Sequence, residues 1–323
     1  MQSLNTEINS PIVNSEITEA IKKLKKNKCP GPDYLINKFF KYSPPLLIEA
    51  ITLFFNIIFN SGYVRHEWSH GLITPIYKNK GSPKIADNYR GITVLSCFGK
   101  LYSSILNNRL NIYIESYNIM GNEQAGFRSK HSTNDHIFVL NTLLDLYFKK
   151  KKKLYCAFID FKKAFDSINR NALYLKLLKQ DINGNFLTSV TSMFNSAKSQ
   201  IKHNGELSLS FPCLTGVRQG DNLSPLLFSL FLNDLSQSLS NSYNGLTTLT
   251  DVIHDCLDTD IISVYYRLYT LLYADDTVIL AENEHDLQKA LNAMADYCSK
   301  WELVINTTKT KICIFSKSST QTT

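Results

Sequence analysis

Asp275 and Asp276 stand side by side between two apolar, strand-prone runs, residues 271–273 and 277–280, at the point where a hairpin would turn. Two carboxylates held within ~4 Å repel by roughly 4 kcal/mol even at an effective dielectric of 20, so a fold that keeps both ionised supplies a divalent cation. A second apolar run, residues 154–159, ends at Asp160, and strand alternation places that acid on the face of Cys156 and Phe158. If the two segments are neighbours in one sheet, Asp160, Asp275 and Asp276 converge at its end and hold two hard cations through oxygen ligands. That is the layout of a nucleotidyl-transfer site. The bland alternative is a set of acids in surface turns.

The acids do not stand alone. Lys28–Asp33, Pro75–Lys78 with Asn88–Ile92, Gln124–Arg128, Phe158–Asp166, Gly216–Gly220 with Leu223–Pro225, Tyr273–Asp276, and Leu303–Asn306 with Lys309 and Thr310 follow one another along the chain. In identity and order these blocks resemble the reverse transcriptases of LINE-type (non-long-terminal-repeat) retrotransposons, over about residues 17 to 316. One departure is Gly91, where the family often has proline after the arginine. It bears on the local turn rather than on the chemistry.

The resemblance implies an α+β right-hand polymerase of fingers and palm, with an antiparallel palm sheet flanked by helices. It also implies an RNA-directed DNA polymerase that extends a DNA primer or target DNA on an RNA template, using deoxynucleotide triphosphates. Asp160, Asp275 and Asp276 are then the catalytic ligands of two Mg²⁺ ions, with Mn²⁺ as a substitute. Lys78 and Arg90 flank a polar loop whose cations grip the incoming triphosphate, arginine as a fork and lysine as a point charge; solvated surface charge is the alternative, and Lys80 and Lys84 compete. Phe165, five residues after Asp160, becomes the ring that excludes a 2′-hydroxyl, unless it is simply core. Gln219 and Gly220 place nucleotide or template through an amide and backbone N–H groups, unless the glycines only permit a turn. Lys309 assists the departing pyrophosphate or is plain solvated lysine. Within 124–128, residues that shape the template path, Arg128 is the candidate phosphate contact.

Bulk properties agree with this and exclude other classes. With 323 residues, 44% of them hydrophobic, the chain can bury a sizeable core. A formal net charge of +7 suits a polyanionic partner. Seven scattered cysteines show no Cys-X-X-Cys spacing, which argues for reduced thiols in an intracellular protein of nucleus or cytoplasm. Residues 46–60 and 223–235 are apolar but shorter than the ~20 residues of a membrane span, so they read as core helices and no membrane partner is expected.

The elements that must position these groups follow from pattern. Ser15 is the expected cap of a helix carrying Ile17, Ile21 and Leu24, closed by the 29–33 turn, and a second apolar helix runs from about Pro45 to Ser61. A strand over 72–77 leads into a polar loop, 78–90, and helices are expected near 100–117, 134–149, 172–178, 186–194, 224–238 and 284–301. Asn204-Gly205 marks a hairpin within 200–211, and 311–316 is a last strand. The five lysines at 149–153 read as a solvated helix end.

The expected organisation is a loose tail (1–14), a fingers-like region (15–150), a palm (151–316) and a terminal tail (317–323), with 60–316 as the core polymerase domain. Too few residues follow Lys309 for the family's helical thumb, and none precede residue 15 that could be its endonuclease. The chain therefore reads as part of a longer polyprotein, or as a catalytically inactive nucleic-acid-binding remnant or fragment of such an element. An intron-encoded enzyme or an RNA-dependent RNA polymerase on the same palm are rivals; Phe165 disfavours the latter.

Overall fold

The computed structural model describes residues 7–246 and 268–317. Residues 247–267, Cys256 among them, and nearly all of the 317–323 tail lie outside them. The chain forms two compact units, each discontinuous: Met1–Ile119 with Ile168–Leu227, and Met120–Ser167 with Phe228–Thr323. The fold is mixed α/β with two separate sheets.

In the first unit, α1 (Asn14–Lys23), α2 (Asn37–Lys41), α3 (Pro45–Ser61), α4 (Cys97–Ser116), α7 (Arg170–Lys179) and α8 (Gly184–Asn195) accompany one sheet. Pro45 opens α3 with a ring already set for helix, and Gly62 closes it at φ 67°. Ser96 caps α4 by accepting the Gly99 N–H at 3.0 Å. The sheet runs β2 (Tyr89–Leu95), β1 (His70–Tyr77), β4 (Lys198–His203), β5 (Glu206–Leu207), with β6 (Phe211–Pro212) also on β4. Phe55, Phe59, Tyr102, Phe186 and Phe194 are fully buried in this unit.

In the second unit the order is β7 (Thr270–Tyr273), β8 (Asp276–Ala281), β3 (Leu154–Ile159), β9 (Lys311–Phe315), every neighbouring pair antiparallel. Leu143 and Tyr147 of α5 (Thr133–Lys149) pack with Leu154, Cys156, Leu271 and Leu280 of the sheet. A long amphipathic helix, α11 (Glu284–Trp301), is capped by Asn283, which accepts the Asp286 N–H at 2.8 Å, and buries Leu287, Ala290, Met294 and Trp301. Two short helices complete the unit: α6 (Ala164–Ser167) and α10 (Leu235–Ser240). Residues Ser224–Phe231 form α9, which straddles the division.

Several expectations need correction. Residues 7–14 are no loose tail: Ile8 and Ile12 are buried, and Arg109, on α4, donates to the carbonyls of Ser10 (2.6 Å) and Pro11 (3.0 Å) and to both oxygens of Glu16. Ser15 lies inside α1 rather than capping it; the Val13 N–H is taken by the Glu16 carboxylate at 3.0 Å. The 224–238 helix is two, interrupted at 232–234. Arg90 belongs to a regular strand, because β2 pairs with β1 from Tyr89 onwards. The boundary expected at residue 150 is not where the units divide, since 168–227 pack with the N-terminal residues through β1–β4 pairing. Asn204 and Gly205 turn as expected, at φ 50° and 87°. No helix among the described residues is long and apolar enough to cross a membrane. Six described cysteines carry free thiols, and Cys97, Cys156 and Cys298 are buried.

Candidate active site

The β7–β8 hairpin pairs Tyr273 with Asp276, so Ala274 and Asp275 are its two loop residues. Ala274 takes φ 59°, a left-handed value costly for a residue with a Cβ and of the kind found where strain is stored at functional sites. The β3–β8 register ends at Ile159 opposite Thr277, and one further step sets Asp160 opposite Asp276. The β3–β9 register ends at Phe158 opposite Lys311, and two further steps lead to Lys309. Strand pairing alone thus gathers Asp160, Asp275, Asp276 and Lys309 at one end of the sheet.

The electrostatics of the same residues agree with that placement. The Asp275 carboxyl is pushed above its ordinary pKa, first by burial and then by the charges of Asp276 and Asp160, with Lys309 opposing. Lys309 Nζ lies 3.4 Å from Asp160 Oδ2, a buried oxygen to which no hydrogen bond is made. Thr310 Oγ1 accepts the Asp160 N–H at 3.2 Å, and Asn306 N–H donates to the Asp160 carbonyl at 2.7 Å, so the residue's backbone is tied at both ends while its Oδ2 has the Lys309 ion pair and no hydrogen bond. Among the described residues no three acidic, histidine or cysteine side chains are already drawn into a cation cage. An under-satisfied carboxylate beside two others, all of hard oxygen donors, nonetheless fits a divalent cation such as Mg²⁺.

One residue expected only to shape the template path has a supporting role in the structure. Gln124 is buried beside the hairpin, and its Oε1 accepts the N–H of Gly126 (2.8 Å) and of Ala274 (3.2 Å). Backbone pairing of Glu123 and Ala125 with Leu272 adds a short parallel bridge beside β7. A Cβ at Gly126 would run into the Ala274 nitrogen, so only glycine lets the loop lie against the turn. Residues 124–128 therefore buttress the acidic hairpin. The Arg128 guanidinium turns back onto the carbonyls of Gly121 (3.0 Å) and Gln124 (3.3 Å). The sequence signal was present in the Gln-Ala-Gly order, but its long-range partner was not.

Phe165, on α6, stacks on Phe228 at 4.8 Å and 18° and meets Phe127 edge-on at 6.4 Å. It is half-buried, with its ring fixed by two others. The remaining candidates belong to the first unit. Lys78 and Arg90 share one face of the β1–β2 hairpin, since Arg90 pairs with Ile76 and Lys78 lies two residues beyond it. Lys78 Nζ donates to the Asp87 carbonyl at 2.8 Å, while Arg90 is exposed. Gly220 takes φ 108° and abuts the Thr93 carbonyl of β2, leaving no room for a side chain; Gln219 beside it is half-buried. Arg218 is a structural group: it donates to the carbonyls of Ser69 and Lys198, and burial pushes it down to about 10.

Residues 76–322 match the family model described as reverse transcriptase (RNA-dependent DNA polymerase). The chain belongs to the reverse transcriptase family. Within it the kinship is to LINE-type elements. The chain is 29% identical over 306 residues to a probable RNA-directed DNA polymerase from transposon BS of Drosophila melanogaster, covering 93% of this chain and 32% of that one. It is 27% identical to the RNA-directed DNA polymerase from mobile element jockey of the same species, covering 93% of this chain and 31% of that one. This reverse transcriptase chain thus spans about a third of the length of these relatives. Apo telomerase from Candida tropicalis, truncated from the C-terminal domain, shares the fold, with TM-score 0.51 at 16% identity over 85% of this chain and 56% of that one.

Proposed function

We propose that the second unit is the palm, and the first the fingers, of an RNA-directed DNA polymerase of a LINE-type retrotransposon, which extends a DNA 3′ end on an RNA template by two-metal nucleotidyl transfer. The observation that carries this reading is the strand register that brings Asp160 to Asp276 and Asp275, with the Asp275 carboxyl raised by burial and then by its acidic neighbours. Asp160, Asp275 and Asp276 would hold two Mg²⁺ ions, or Mn²⁺ in their place. Bound there, the ions supply a lowered pKa for the primer 3′-hydroxyl and neutralisation of the leaving pyrophosphate.

The chain's own groups do the positioning. Lys309, already drawn to Asp160, offers its ammonium to the pyrophosphate side of the site. The clamped ring of Phe165 excludes ribonucleotides by contact with the 2′ position. Arg90 and Lys78 bind the triphosphate of the incoming deoxynucleotide, and Gln219 and Gly220 position nucleotide or template. Arg128 orders its own loop and touches template from there. The partners are an RNA template, a DNA primer or target DNA and deoxynucleotide triphosphates, in an intracellular setting and as one region of a longer polyprotein. Primer extension by the purified chain on an RNA template with Mg²⁺ tests the reading: template-encoded DNA is expected. Retained RNA binding with no extension under any metal would instead mark a nucleic-acid-binding remnant.

A further inference from the structure

The block at residues 28–33 has no part in the chemistry above, yet the structure gives it a defined place. Gly31 presses against the Leu95 carbonyl at the end of β2, where a side chain would not fit, and Asp33 accepts the Ser96 hydroxyl at 2.6 Å. Pro32, Asp33 and Leu35 thereby line a cavity of about 710 Å³ within the first unit. That volume lies in the range of about 300–1,000 Å³ common to ligand sites. Its other wall is aromatic: Phe54, Trp68 and Phe98 interlock, with ring centroids 5.4 to 6.0 Å apart. Phe55 and Tyr102, in the same cluster, are fully buried; these three are half-buried and turn surface to the cavity.

The charges around it favour a polyanion. Of the acidic lining groups, Glu67 is neutralised by Arg65 in a bidentate pair (2.9 and 3.2 Å), while Asp33 accepts from the Ser96 hydroxyl and the Leu35 N–H and keeps its charge and spare lone pairs. Lys198, also lining the cavity, is exposed and has no acidic partner among the described residues. The chain leading into the cavity carries five lysines between residues 22 and 28 and no acid between Glu19 and Asp33. Lys41 Nζ bonds the Lys22 carbonyl and Lys26 Nζ the Tyr42 hydroxyl, joining this basic stretch to α2. Between the lysines, Tyr34, Phe39 and Tyr42 are 83%, 59% and 68% exposed. Cationic surface interleaved with exposed rings is how proteins hold single strands: charge follows the phosphates and rings take the bases.

We infer that this cavity takes one unpaired base of a single-stranded nucleic acid, stacked on the Phe54, Trp68 and Phe98 wall, while the flanking phosphates lie over Lys198 and the lysines of residues 22–41. The Asp33 carboxylate is placed to accept an N–H from the base edge. The inference rests on the nucleic-acid partner proposed above, but not on polymerase chemistry.

Trp68 is one of two tryptophans, so the Trp301→Phe chain reports on it alone. The probe is a short strand with a single adenine among abasic positions, and a fully abasic strand is the control. The adenine strand is expected to quench Trp68 and bind about ten-fold tighter than the control, the scale of one stacked base. Ser196→Tyr, which fills the cavity from the end of α8, should remove that difference; Lys198→Glu should weaken both strands and leave it. Equal quenching by the two strands, or quenching by tetramethylammonium and not by the adenine strand, would overturn the inference. Loss of primer extension with the adenine-dependent quench intact would remove the polymerase reading and leave this one standing; extension without the quench would do the reverse.

Discussion

The two units carry candidate groups in opposite states. In the first, polar groups from the matched blocks mostly meet partners inside the chain: Lys78 holds the Asp87 carbonyl, Gly220 packs on Thr93, and Arg218 holds the Ser69 carbonyl although its Nε is buried without a hydrogen bond. In the second, three carboxylates face one another at the strand ends, and the nearby Asp160 Oδ2 and Gln124 Nε2 are buried without hydrogen bonds. A group whose needs are met within the fold fixes backbone. A group left in conflict costs stability, and its retention points to a partner from outside the chain.

That contrast is broken most severely at the acids. Asp275→Asn is expected to abolish primer extension, by a thousand-fold or more, while stabilising the metal-free protein by up to about 1 kcal/mol, read as a higher melting temperature. The sign follows from linkage. The folded pKa lies above the unfolded one, so the folded state binds the proton more tightly, and this group adds stability as pH falls through its folded pKa and withdraws it above. The asparagine variant should lose that part of the pH dependence, which melts at several pH values would show. A fall in melting temperature at neutral pH would mean the carboxylates are not in conflict.

Gln124→Ala removes the acceptor of the Gly126 and Ala274 N–H groups and should cost about 1–3 kcal/mol in denaturant unfolding, with extension reduced in parallel. Phe165→Ala is expected to raise ribonucleotide incorporation relative to deoxynucleotide incorporation, read from competitive extension; unchanged discrimination would refute the gate. The smallest effects sharpen the first unit. Arg90→Ala should raise KM for the deoxynucleotide about ten-fold, while Lys78→Ala, already committed to a carbonyl, should change it less, each leaving stability within about 0.5 kcal/mol. Equal losses would show that the Lys78 bond opens when nucleotide arrives.

Much of the second unit was legible because its signals are local. The apolar flanks of Asp275-Asp276 lie in the two strands of one hairpin and the helical period of residues 284–301 in one helix, and the structure returns both. What escaped depends on distant partners. Arg109 holds Ser10 from 99 positions away, and nothing near residue 10 announces an anchored segment. Gln124 meets Ala274 across 150 positions. The polar composition of the loop ahead of β2 masks the strand Tyr89–Leu95, whose pairing with β1 is set by tertiary contact as much as by composition.

On the reading proposed above, Asp160, Asp275 and Asp276 form one cation site. Titration of Mn²⁺ into the metal-free chain, followed by electron paramagnetic resonance of free ion and by melting temperature, tests it without requiring turnover. Saturable binding with a rise in melting temperature is expected, lost in Asp160→Asn and in Asp275→Asn alike. Binding that survives either substitution unchanged, or no binding by the folded chain at millimolar Mn²⁺, would contradict it.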